Sequence, residues 1–283
     1  MSALETVQSS DIVARLISTA PRDATWVFDC DGTLINGDIA SHTAWGMLRR
    51  GLVSSKLLPK DFRERFYRDP FDFKDFLALR LYIAEAGGDH HSSVYEWEAR
   101  MHTGHALDTI VRVAEEMIEH GRQIGTLHFT RPLSELAQKV AGRAWICSGS
   151  PQSCVLAVAD RLGIARERTI GTMLETVDGV FGEKMLPPGV IWEDTKRIAL
   201  EQKGVVAPWF AAGDSIGDWQ MIEMSIGWRW CIVWDQHRHR GEEMRQIVQE
   251  RVLGTDATLP TEPGIYCFQK AGKNWILEVK APS

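Results

Sequence analysis

The chain has 283 residues, room for one large or two smaller units at the usual ~100–200 residues per domain. Hydrophobic residues make up 44% and charged residues 25%, ordinary values for a globular protein with a sizeable core. The formal net charge of −6 argues against a nucleic-acid partner, which would want a basic face.

Residues 1–22 carry a weak helical pattern (Leu4, Val7, Ile12, Val13, Leu16, Ile17) that Pro21 would end, read as a helix covering a sheet edge. Trp26, Val27 and Phe28 then read as a buried strand that ends in Asp29, Cys30, Asp31, Gly32 and Thr33. From about residue 38 to 131 the apolar residues recur at three and four positions, with breaks at Gly51, Asp69-Pro70 and Gly87-Gly88. Helices are expected over Ser41–Arg50, Lys60–Ala86 and His91–His120, with no strand.

From Pro132 the order alternates again. A helix (Leu133, Leu136, Val140) precedes a strand around Trp145 that runs into Ser148-Gly149-Ser150-Pro151, and a helix follows through Val155 to Gly163. Thr169–Glu183 contains Asp178-Gly179, a hairpin signal. Glu193–Gln202 reads as a helix carrying Lys196, Ala207–Ala212 as a strand running into Gly213-Asp214-Ser215-Ile216-Gly217-Asp218, and Trp228–Trp234 as another strand. Asp235–Arg240 reads as a charged loop or helix start. Gly264–Val279 reads as two strands about a Gly-Lys-Asn turn, extending the sheet edge or forming a small appendage.

Asp29 and Asp31 stand at i and i+2, which in a strand point to one side and leave Cys30 on the other. In open parallel sheets ligands bind past the carboxyl ends of strands. Two carboxylates there, beside a glycine that lets backbone N–H groups turn inward, suit a hard cation and an anion together. A carboxylate is a competent nucleophile towards phosphorus, and a second acid beside it can protonate a leaving oxygen and then activate water. Carboxylates this close repel, and Mg2+ is the expected neutraliser. The competing reading is a turn whose aspartates cap backbone N–H groups.

Three further stretches favour chemistry: the Ser148 loop, Lys196, and the Asp214/Asp218 pair. The ordered set D-x-D-G-T, hydrophobic-S-G, K and G-D-S-x-x-D resembles the four signature motifs of the haloacid dehalogenase-like (HAD) phosphatase superfamily. ICSGSPQSCVLAVADRLGI is similar to the phosphoserine-phosphatase-like branch. The motifs span about two thirds of the chain. The resemblance implies a doubly wound α/β core over 1–37 and 132–283, with a C-terminal β-hairpin near 263–280, and a helical cap over 38–131 that excludes water and reads the leaving group.

It implies Asp29 as nucleophile and Mg2+ ligand, and Asp31 as general acid/base that gives its backbone carbonyl to the metal. Ser148, with Gly32 and Gly149, would bind phosphoryl oxygens, and Lys196 would neutralise charge. Asp214 would be the third protein contact to the metal, with Asp218 supporting it or orienting Lys196, and Ser215 would line the same loop. Asp31 argues against a dehalogenase, which lacks that second aspartate.

Asp38 lies at the offset where phosphoserine phosphatases carry an acid that meets the substrate ammonium; it is also a good helix N-cap. Arg63, Arg65, Arg68, Arg80 and Arg100 are the insertion's candidates for reading a carboxylate. Trp45 and Trp97 could build an aromatic cage for a quaternary ammonium, but packing is the commoner fate of Trp. His90, His91, His102 and His105 have no partner at a metal-binding spacing and are read as surface or packing residues.

The expected activity is Mg2+-dependent hydrolysis of a small phosphomonoester, with an amine-bearing, phosphoserine-like ester slightly favoured on Asp38. The rivals are a catalytically silent binding or regulatory protein on the same scaffold, and a phosphotransferase to an acceptor other than water. The five cysteines read as reduced thiols of the core. The N-terminus lacks the features of a signal peptide, and no apolar run reaches the ~18 residues of a spanning helix. No membrane partner and a cytoplasmic location are therefore expected; the oligomeric state is not readable.

Overall fold

The computed structural model describes residues 5–60, 62–63, 72–87, 92–232, 264–270 and 273–279. Its centre is an eight-stranded sheet. In chain order the strands are β1 (Glu5–Val7), β2 (Trp26–Phe28), β5 (Ala144–Pro151), β6 (Thr169–Thr172), β9 (Phe210–Gly213), β10 (Trp228–Ile232), β11 (Gly264–Lys270) and β12 (Lys273–Val279). Their spatial order is β1-β12-β11-β10-β9-β2-β5-β6. The run from β11 to β6 is parallel throughout, and β12 pairs antiparallel with both β11 and β1. The C-terminal strands therefore extend the sheet, and part of the N-terminal stretch read as helical is an edge strand, β1.

β2 owes its place to its residues. Trp26 and Phe28 point to one face and pack on Phe210 at ring-centroid distances of 5.1 and 5.2 Å, while Val27 points to the other beside Cys147 and Ala211. All three β2 side chains are buried, as expected of a strand covered on both faces. Helices α1 (Ser9–Thr19), α6 (Leu133–Lys139) and α7 (Gln152–Leu162) line the first face, and α8 (Asp194–Gln202) and α9 (Trp219–Glu223) the second. The chain leaves β2 towards β5 and β6, then returns past it to β9 and β10. β2 thus sits where the strand order reverses, where such sheets hold ligands.

Between β2 and β5 the chain leaves and re-enters the sheet region through a short ribbon, β3 (Ile35–Asn36) against β4 (His128–Phe129). The segment between them forms α2 (Ile39–Arg49), α3 (Phe73–Ala86), α4 (Ser92–Arg100) and α5 (Leu107–Gln123). The helix expected over His91–His120 is two. The break at 101–106 is tied to another element: Gly104 N–H donates to Phe181 O (2.8 Å) and Phe181 N–H to His105 O (2.9 Å). The Asp69-Pro70 break, Arg65, Arg68, His90, His91 and Asp235–Arg240 lie outside the described residues.

The inserted helices have their own apolar cluster, including Trp45, Phe76, Leu79, Trp97, Ile110 and Met117. Trp45 lies against Phe73, and Trp97 stacks on Phe76 and donates Nε1–H to Leu57 O. Both tryptophans are packing residues. Leu174 and Phe181 join this cluster from the hairpin β7 (Leu174–Val177) and β8 (Val180–Met185), although the hairpin follows β6 in the chain. Its turn is the expected Asp178-Gly179, with φ of 52° and 78°.

Candidate active site

Three of the expected segments end at the carboxyl edge of adjacent strands: Asp29 after β2, Ser148 within the irregular end of β5, and Asp214 after β9. α8 brings Lys196 to the same edge. Its Nζ lies 2.7 Å from Asp29 Oδ1 and also pairs with Asp218 Oδ1, and its side chain is 1% exposed.

Asp29 and Asp31 converge for a reason other than the strand pleat. β2 ends at Phe28, and the next residues form a tight turn in which Cys30 O accepts the N–H groups of Thr33, Leu34 and Ile35 at 3.2, 2.8 and 3.1 Å. Asp31 Oδ1 accepts Ile39 N–H at 2.6 Å. Its Oδ2 accepts the Ser150 hydroxyl at 2.6 Å and, more loosely, Ser148 at 3.4 Å. Ser150 is a site residue that the sequence analysis did not single out. The i, i+2 reasoning applied to Asp29 and Asp31 would have paired it with Ser148.

Asp218 is almost fully engaged. Its Oδ2 accepts Asp214 N–H (3.1 Å), Ser215 N–H (2.9 Å) and the Ser215 hydroxyl (2.8 Å), and its Oδ1 holds Lys196. It therefore folds the Asp214 loop and aims the lysine. Oxygens of Asp29, Asp214 and Asp218 lie within 4.8 Å of one another, all buried. Gly32, with φ of 83°, backs onto this cluster so closely that a β-carbon would overlap the Asp214 carboxylate.

Four buried carboxylates (Asp29, Asp31, Asp214, Asp218) meet one buried ammonium. Burial, then Asp218, pushes Asp29 up to about 6 against the pull of Lys196. Burial, then Asp38, pushes Asp31 up to about 7. Burial pulls Lys196 down, but Asp218 and Asp29 outweigh it and hold it well above the usual lysine value. An all-oxygen donor set with excess buried negative charge fits a hard divalent cation. Among the described residues Asp29, Asp214 and Asp218 lie close enough together to hold it, with Asp218 also folding the Ser215 loop and both Asp29 and Asp218 meeting Lys196.

Asp38 caps α2, accepting Ser41 N–H at 2.9 Å, and its Oδ2 is 2.8 Å from Arg80. Both readings of this residue meet here: it is a cap, and it faces a cation, but the cation belongs to the chain. An ammonium at this place would share Oδ2 with Arg80. Of the other candidate arginines, Arg63 donates to Leu58 O, and Arg100 pairs with Glu96 and donates to Glu183 O.

Two aromatic rings close over the loops. Tyr95 of α4 lies on Gly149, where a β-carbon would fall 2.8 Å from the ring, and Trp192 presses on Gly217. The two rings are 5.7 Å apart. Cys30 and Cys147 are buried free thiols, and burial pushes both up, Cys147 to about 12.

The model of the haloacid dehalogenase-like hydrolase family matches residues 26–223, and the chain belongs to that family. No curated protein sequence matches it. A conserved protein of unknown function from Anaerococcus prevotii DSM 20548 is similar in structure, with a TM-score of 0.60, 12% identity, and coverage of 88% of this chain and 91% of that one. A protein of unknown function from Bordetella pertussis Tohama I gives 0.57 and 16%, over 80% and 95%. A phospho-aspartyl intermediate analogue of phosphoserine phosphatase gives 0.43 and 15%, over 75% and 86%. No helix among the described residues is long and apolar enough to cross a membrane.

Proposed function

We propose that the protein is a Mg2+-dependent phosphatase that hydrolyses a small phosphomonoester through an aspartyl-phosphate. The observation that carries this is Lys196 Nζ, buried between Asp29 and Asp218, with Asp31 held on Ser150 and Ile39 N–H beside them. That arrangement gives one carboxylate beside a fixed cation and a second carboxylate fixed independently. Phosphoryl transfer needs such positioning and charge neutralisation more than covalent assistance.

In the first step an Asp29 oxygen attacks phosphorus. The new O–P bond forms as the ester P–O bond breaks, and Asp31 donates its proton to the departing alkoxide. In the second step Asp31 takes a proton from water as the water oxygen attacks phosphorus. The bond to Asp29 breaks and phosphate leaves. Ser148 and Gly149 N–H are assigned to phosphoryl oxygens, and Lys196 balances charge at Asp29; Gly32 N–H, expected to join them, instead donates to Ile35 O at 2.7 Å and closes the turn. Asp29 and Asp214, with the Asp31 carbonyl, would hold Mg2+, which when bound offsets the negative charge of phosphate and carboxylates. The inserted helices act as the cap, with Tyr95 and Trp192 limiting water.

The leaving group is a small alcohol. An amine-bearing, phosphoserine-like ester remains in this class, on condition that its ammonium shares Asp38 with Arg80. Phosphate release from a chromogenic ester with Mg2+, compared with Asp29→Asn and Asp31→Asn, tests the reading. Loss of turnover in both folded variants supports it. Wild-type turnover in Asp29→Asn overturns the aspartyl-phosphate mechanism, and no turnover in the native protein across a panel of phosphate esters overturns the reading in favour of a silent binding protein. Phosphate appearing on an organic acceptor instead of in solution identifies a phosphotransferase.

A further inference from the structure

Above Asp31 lies a closed ring of charged and polar groups that the mechanism has not used. Glu98 of α4 is 1% exposed. Its Oε1 accepts Arg80 Nε–H at 2.9 Å and the Ser41 hydroxyl at 3.3 Å. Arg80 of α3 reaches Asp38 Oδ2 with Nη2 at 2.8 Å, and Asp38 Oδ1 accepts Ser41 N–H at 2.9 Å. The ring is thus Glu98–Arg80–Asp38–Ser41 and back to Glu98, and it ties three helices together at the first turn of α2.

That first turn also carries Ile39, whose N–H donates to Asp31 Oδ1 at 2.6 Å. Ile39 is the first residue of α2, so its N–H has no acceptor within the helix. Whatever fixes the Asp38–Ile39 peptide fixes one of the contacts that aim the Asp31 carboxylate.

We propose that Arg80 and Glu98 are positioning residues for Asp31. The guanidinium spans Asp38 and Glu98 at once, clamps the N-terminus of α2, and so holds the Ile39 N–H on Asp31. The role does not depend on which ester is cleaved. It rests on the proposed assignment of Asp31 as acid/base, and it differs from a pair that reads a substrate amine or carboxylate. Arginine is suited to the task because its planar fork meets two carboxylates from Nε and Nη2; a lysine ammonium is a single point of charge and cannot hold both in this geometry. Glu98 anchors the clamp through Oε1, which takes both Arg80 Nε–H and the Ser41 hydroxyl; among the described residues its Oε2 has no hydrogen-bond partner.

The test uses the full-length protein, with Arg80→Met and Arg80→Lys, below their melting temperatures. Three quantities are read: kcat and KM on an amine-bearing and a neutral phosphate ester, hydrogen exchange of the Ile39 amide, and the melting temperature. A displaced acid/base lowers kcat about ten- to hundredfold in Arg80→Met, equally for both esters, with KM little changed. The Ile39 amide exchanges at least about tenfold faster because its one acceptor has moved, while amides inside α2 keep their protection. Arg80→Lys restores thermal stability more than it restores kcat.

A wild-type kcat in folded Arg80→Met overturns the proposal, as does unchanged Ile39 exchange. A loss confined to KM and larger for one ester overturns it too, and makes Arg80 and Asp38 a substrate-reading pair. If Arg80→Met does not fold, Arg80→Lys and Asp38→Asn carry the same readings. If the native protein cleaves no ester, the proposed function fails, while the exchange measurement still decides whether Arg80 controls the Ile39–Asp31 contact.

Discussion

Gly32 backs directly onto Asp214: a β-carbon at position 32 would occupy the space of the Asp214 carboxylate. The backbone there also has φ of 83°, which an L side chain adopts at a cost of about 1 kcal/mol. Gly32→Ala is expected to push Asp214 out of the carboxylate cluster. Titration with Mg2+ followed by calorimetry would show weakened binding, and kcat/KM would fall by about a hundredfold or more.

Ser148 and Ser150 both face Asp31, at 3.4 and 2.6 Å, but with different expected consequences. Ser150→Ala removes the closer support of Asp31, so kcat should fall about tenfold with KM little changed. Ser148→Ala removes a group assigned to the phosphoryl oxygens and should raise KM as well as lower kcat. Steady-state kinetics of the two variants separates the roles; identical behaviour would contradict the division.

Lys196 separates two buried carboxylates. Removing it in Lys196→Met leaves Asp29 and Asp218 facing each other in a buried site, at a cost of about 3–5 kcal/mol. Urea denaturation should show that loss, and Lys196→Met combined with Asp218→Asn should recover part of it. Activity should be absent in both.

Two buried groups away from the metal ligands should shape stability against pH with opposite signs. His102 accepts or donates through Nδ1 to the Ser153 hydroxyl at 3.0 Å, and burial, then His105, pulls it down to about 3. Its folded value lies below its unfolded value of ~6.5, so its contribution is present above that pH and is lost as pH falls towards 3. Glu98 is pushed up to about 7 from 4.5, so its contribution is present below 4.5 and is lost as pH rises through 7. Urea midpoints across pH 5–8 should show His102→Gln losing less stability than the native protein on the acid side. Glu98→Gln should lose less on the alkaline side.

The strand-end loops were legible because each couples a local apolar run to residues that a core strand would not otherwise carry: Asp29 and Asp31, Ser148, Asp214. The β7–β8 turn was legible because Asp178-Gly179 accepts two positive φ values. The clamp on Asp31 was not, because Asp38, Arg80 and Glu98 come from three helices and meet only through the packing of Phe76, Leu79 and Trp97. β1 was missed for a similar reason, since its partner is β12 at the far end of the chain. The break at 101–106 was missed although Gly104, with φ of 84°, marks it locally; its backbone tie to β8, through Gly104 N–H and His105 O, joins a residue far along the chain that no local pattern announces.

The β7–β8 hairpin has a consequence for how such a molecule can be re-engineered. Leu174 and Phe181 complete the apolar interior of the inserted helices, and Thr103 and Arg100 donate to the carbonyls of Gly182 and Glu183. The helices between β3 and β4 are therefore not a cassette that can be cut at its two chain crossings and exchanged for another. Grafted alone they would arrive with a hole where the hairpin belongs, and the host sheet would be left with two greasy side chains in water. The transplantable module is the helices together with the hairpin.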